Sequence, residues 1–96
     1  MKLVISLSGV SDMSLQERAS AERRYLDVLE EVFGGADAVW MRLQAAQQAK
    51  ADGSGGPAEM RAISRWEQAE LVASNLALGG RQWTGTPTFT VSNTPS

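Results

Sequence analysis

The side chains that could do chemistry in this chain are carboxylates, arginines and tryptophans, because its 96 residues include no cysteine and no histidine. Thiolate nucleophiles, disulfides and Cys/His metal sites are therefore excluded, and a Ser-His-Asp triad would lack its base. Asp27, Glu30 and Glu31 are the candidates for a carboxylate pair or a divalent-metal site. Because they share a predicted helix with arginines, we expect a solvated charged face, with no catalytic residue, no metal and no cofactor.

Charge and hydropathy narrow the classes of partner. The net charge is −2 and the pI is about 5.0, which does not suit a nucleic-acid binder, because phosphate contacts need a basic surface. No apolar run approaches the ~18 residues of a membrane span. The apolar stretch at 3–10 is interrupted by serines and a glycine and is not typical of a signal peptide. We therefore expect a cytoplasmic single domain over residues 1–96 that contacts neither nucleic acid nor membrane.

Hydrophobic periodicity predicts an α/β (α+β) fold in the order β-α-α-α-β, with three helices packed on a small sheet. Ser14, followed three residues later by Glu17, is typical of a capping box at the start of the first helix. Leu3, Ile5 and Leu7 alternate, and Val4 adds an apolar residue to the opposite side, so we expect the first strand to be covered on both faces, at least at its start. The predicted elements are strands over 2–8 and 88–92 and helices over about 15–33, 38–51 and 58–78.

Two short strands make a sheet of marginal stability, and each would have an unpaired edge. We therefore expect a protein or peptide partner, or a homo-oligomer formed through the open strand edges.

The connection before the second strand contains the residues that favour an interface. Trp40 and Trp66 lie on apolar helical faces and are expected in the core, whereas Trp83 stands between glycines with Arg81 two residues earlier. Tryptophan and arginine are enriched at interface hot spots. Trp83 and Arg81 could therefore either pack within this connection or contact a partner, and the sequence is compatible with both.

The segment Gly85-Thr86-Pro87 before an apolar strand, preceded by a helix containing Asn75 and Leu76, resembles the cis-proline loop of thioredoxin-fold proteins. It is most similar to bacterial thiol:disulfide interchange proteins of the DsbC/DsbG type. The first strand, the segment 34–40 and the glycine-rich connector 52–57 resemble other parts of that family in the correct order.

This resemblance implies a truncated or degenerate thioredoxin-like fold in which Thr86 offers its backbone to an extended substrate segment and Pro87 fixes the geometry of the loop. The family's Cys-x-x-Cys motif is absent. In one register it would precede the chain, and in another Ser11–Ser14 would occupy its place. The resemblance thus implies a non-catalytic, peptide- or partner-binding protein. The alternatives are a split or truncated half of a disulfide isomerase-like protein that needs a Cys-bearing partner chain, and an unrelated small interaction protein. The family resemblance would imply a periplasmic location.

Overall fold

A computed structural model describes residues 2–94, without the side chains of residues 2 and 94. The fold is α+β, and the predicted order β-α-α-α-β is confirmed. The described part of the chain contains a two-stranded antiparallel sheet and three helices. The elements are β1 (Lys2–Val10), α1 (Leu15–Phe33), α2 (Ala36–Ala51), α3 (Pro57–Leu78) and β2 (Gly85–Thr94).

Local chemistry sets the helix ends. The predicted capping box of α1 is confirmed: Ser14 Oγ accepts the N–H of Glu17 at 3.1 Å, and the Glu17 carboxylate accepts the N–H of Ser14 at 3.0 Å. Gly34 ends α1 in the left-handed conformation. The next helix, α2, begins at Ala36, two residues before the predicted start, where the Glu30 carboxylate accepts the N–H of Ala36.

The core lies between one face of the sheet and the helices. Leu3, Ile5 and Leu7 are buried on that face, and Trp66 of α3, 3% exposed, confirms its predicted core position. Trp40 is half-buried and packs against the same cluster.

The expectation that β1 is covered on both faces is wrong. Val4 is 38% exposed, and Ser6 and Ser8 are exposed beside it. The helices pack on a single face of the sheet, so the opposite face, which carries mainly serine and threonine hydroxyl groups, meets solvent.

Candidate functional site

The structure brings Arg81 and Trp83 together in the connection between α3 and β2. The Arg81 guanidinium lies 3.9 Å from the centre of the Trp83 ring and pairs with the Glu17 carboxylate at 3.3 Å. The Trp83 indole N–H donates to the backbone carbonyl of Leu78, the last residue of α3, at 3.4 Å. Both side chains are therefore engaged by their own chain, and they fasten this connection to the first turn of α1.

Asp12 fixes the same connection from the other side. Its carboxylate accepts the N–H of Thr84 at 2.9 Å and the Thr84 hydroxyl at 3.2 Å. The backbone bond from Thr84 lowers the pKa of Asp12, and the bonds from Ser14 lower the pKa of Glu17. We call Asp12 and Glu17 the connector carboxylates, because Asp12 accepts hydrogen bonds from Thr84 and Glu17 pairs with Arg81. Contacts of this kind favour the ionised form of a carboxyl group.

Thr86 and Pro87 lie at an irregularity at the start of β2, opposite Gly9 of β1. The register passes from Ser8 paired with Thr88 to Val10 paired with Gly85, so two residues of β2 face one residue of β1. A proline is tolerated at such a bulge, because the ladder is already interrupted there. This bulge lets β2 begin at Gly85, three residues before the predicted start.

The Thr86–Pro87 peptide bond is trans, so the cis geometry that the family resemblance implies for this loop is absent. The Thr86 carbonyl oxygen lies against Gly9, where the Cβ of a larger residue would be. The same oxygen accepts a hydrogen bond from the Thr88 hydroxyl at 3.3 Å. One of the two backbone groups that Thr86 would offer to a substrate is thus directed into the protein itself.

The two outer edges of the sheet differ. On β1, the N–H of Leu7 points away from β2 and donates to the Glu22 carboxylate of α1 at 2.7 Å. A charged side chain that turns in to cover an edge amide is a common protection against unwanted strand pairing. The edge of β1 is therefore partly closed by its own helix layer.

Within residues 2–94, no charged side chain covers the backbone of Phe89 and Val91 on β2 in this way. Backbone groups alternate in direction along antiparallel strands, so the residues directly opposite Leu7 and Ile5 also point away from their partner strand. These residues are Phe89 and Val91. Their N–H and C=O groups define what we call the free edge of β2.

The side chains at the free edge are only half-buried. Phe89 stacks on Tyr25 of α1 with ring centres 4.3 Å apart, and the Tyr25 hydroxyl donates to the Glu70 carboxylate at 2.8 Å. Burial and this bond raise the pKa of Tyr25 well above its ordinary value. Beyond Glu70 a groove of about 390 Å³ opens beside Leu71, which is 66% exposed. The surface of α3 thus leaves an apolar side chain uncovered next to Glu70.

Sequence reasoning anticipated open edges but did not identify these residues. The available signal was charge: Gly85–Thr94 contains no ionisable side chain, although charges are a usual protection of edge strands. The protecting role of Glu22 depends on how α1 lies across β1, which the helical pattern alone does not determine.

The carboxylates considered above form no metal site in the described residues. Glu30 caps α2, while Asp27 lines a groove with Arg23, and nowhere in residues 2–94 do three potential ligands gather around one point. None of the helices described is long and apolar enough to cross a membrane. Comparison with protein-family models, with curated proteins and with solved structures finds no match for this chain.

Proposed function

We propose that this chain is a non-catalytic binding protein that accepts an extended segment as an added strand at the free edge of β2. The observation that carries the proposal is the difference between the two edges. Glu22 closes part of the β1 edge, whereas the backbone of Phe89 and Val91 is open and uncharged. Strand addition of this kind obtains affinity from main-chain hydrogen bonds and specificity from alternate side chains.

The side chains beside the edge support the same mode of binding. Phe89 and Val91 face the helix layer and are half-buried, so an added strand with apolar residues on that face would extend the core. The opposite face presents Thr88, Thr90 and Ser92 to solvent. The geometry therefore favours a segment that alternates apolar and small polar residues.

No chemistry accompanies this binding. The chain has no thiol and no imidazole, and the carboxylates with lowered pKa are engaged in holding backbone amides. Thiol–disulfide exchange by the chain itself is excluded, because exchange requires an attacking thiolate.

The test is a titration of the 15N-labelled protein with the peptide acetyl-Lys-Thr-Val-Thr-Val-Thr-Lys-amide, followed by NMR. The amide signals of Phe89 and Val91 should shift and saturate, and their hydrogen exchange should slow. A matched peptide with N-methyl groups on both valines should not bind, because its valine nitrogens no longer donate to the edge. N-methylation of two threonines instead, whose N–H groups face away, should preserve binding.

Equal behaviour of the two methylated peptides would contradict strand addition. If the shifts are confined to Thr86, Trp83 and Arg81 and the free edge is unaffected, the binding site lies instead at the bulge and in the connection between α3 and β2.

A further inference from the structure

We infer that the segment accepted at the free edge of β2 is β2 of a second copy of this chain, paired antiparallel about a two-fold axis at Thr90. This inference rests on the proposed function, because it names the occupant of the same edge. The result would be a continuous four-stranded sheet with both helix layers on one face.

The register follows from the backbone directions. Phe89 and Val91 direct their N–H and C=O groups outward, so these residues must form the hydrogen-bonded pairs of any added ladder. A two-fold axis at Thr90 places Phe89 opposite Val91 of the second copy, and Val91 opposite Phe89. Thr90 then faces its own counterpart in a non-hydrogen-bonded pair, where side chains lie closest.

The side chains that this register brings together are complementary on both faces. On the helix side, Phe89 of each copy lies opposite Val91 of the other, and an aromatic residue opposite a β-branched one is a favourable cross-strand pair. On the solvent side, Thr90 meets Thr90 and Thr88 meets Ser92, so hydroxyl groups oppose hydroxyl groups. An isologous interface must match itself, and an acidic or basic edge would place like charges opposite each other. The strand Gly85–Thr94 has no charge at all.

The surroundings of the edge fit a second copy as well. Pro87 has no N–H to donate to a ladder and limits the pairing to the residues that follow it. On the helix side, Phe89 is only half-buried, with its ring stacked on Tyr25. A second copy at this edge would cover more of the half-buried Phe89 and Val91, and it would enlarge a sheet that is marginal with two strands.

Oppositely charged variants at the two-fold axis test this inference directly. Sedimentation equilibrium should show a dimer for the unmodified chain. Thr90→Lys and Thr90→Glu should each weaken the dimer by about tenfold or more, because like charges would then face each other across the interface. An equimolar mixture of the two variants should restore dimerisation to within about threefold of the unmodified chain, since opposite charges are then paired.

Ser6 supplies the matched control. It is exposed on the same face and pairs with Thr90 within one chain, but it lies on β1, away from the proposed axis. Ser6→Lys and Ser6→Glu should leave the dimer unchanged, and circular dichroism should show that all four variants are folded.

A strictly monomeric unmodified chain at several hundred micromolar would overturn the inference, as would a dimer that Thr90→Lys does not weaken. The proposed function would survive the first of these results if the valine-methylated and unmethylated peptides still behave differently at Phe89 and Val91. If the peptide does not bind and the chain is monomeric, both proposals fail.

Discussion

The substitution Gly9→Ala in β1 should destabilise the protein more than the exchange of Gly53 for alanine after α2. Gly9 has a φ of +84°, and a methyl group there would overlap the backbone carbonyl of Thr86. The left-handed conformation alone costs roughly 1–2 kcal/mol for alanine. The carbonyl belongs to the backbone of β2 and cannot rotate away, so the strands must separate at the bulge. Losing about two ladder hydrogen bonds adds about 1 kcal/mol each, for a total of about 3–4 kcal/mol.

Gly53→Ala is the matched control. Gly53 follows α2 with a φ of +76°, and an added methyl group would meet nothing within 4 Å. It should therefore cost only the conformational part, roughly 1–2 kcal/mol. The difference between the two variants isolates the contact between the strands.

Urea unfolding, followed by tryptophan fluorescence and far-ultraviolet circular dichroism, measures both free energies of unfolding. A domain of this size has a stability of about 5–15 kcal/mol, so the Gly9 variant should remain measurable. If the two variants lose equal stability within about 0.5 kcal/mol, the close approach of Thr86 to Gly9 does not govern the bulge, and the reasoning is refuted.

Three further perturbations test the contacts described above. Glu22→Ala should lower the free energy of unfolding by about 1–2 kcal/mol, because the N–H of Leu7 loses a charged acceptor. Glu22→Gln retains an acceptor and should cost less than half as much. An equal loss for both variants would contradict the assigned hydrogen bond. Tyr25→Phe keeps the ring stacked but removes the bond to Glu70, so urea unfolding should show a loss of about 1–2 kcal/mol, and no loss would show that this bond contributes nothing. The folded-state pKa values of the connector carboxylates Asp12 and Glu17 lie below their ordinary values of 3.8 and 4.5. The unfolded chain therefore binds more protons than the folded chain in that pH range. The free energy of unfolding should fall as the pH decreases from about 5 through the lowered pKa values. A variant with both connector carboxylates changed to amides should lose less stability over the same pH range, and an identical pH profile would argue against their role.

The sequence predicts the elements well because their signals are local. Apolar spacing and the Ser14–Glu17 box depend on residues within one turn, and α1 begins and ends at the predicted residues. The burial of Trp66 follows from the same periodicity.

The sequence is less informative about contacts between distant segments. The apolar Val4 indicates coverage of β1 on both faces, but the burial of that residue depends on where the helices pack, and Val4 is exposed on the opposite face. The sequence leaves open whether Trp83 and Arg81 pack within the connection or contact a partner, because their partners Leu78 and Glu17 depend on the path of the chain between α3 and β2. The outward direction of the Phe89 backbone likewise depends on the register between the strands, whereas the trans bond at Pro87 is the ordinary state of an X-Pro bond.

The pairing of the first strand with the last has a consequence for how the protein folds. The α1–α3 contacts and the helix turns connect nearer segments, whereas Lys2 can pair with Thr94 only after the chain has closed around all three helices. Closing so long a loop costs entropy before any ladder bond forms, so we expect the sheet to assemble last. A circular permutant that joins β2 to β1 and opens the chain within the glycine-rich segment 52–56 would convert this pairing into a hairpin. The folding rate of this permutant should rise while its unfolding rate changes little. The free edge of β2 would then form early in folding instead of at its end.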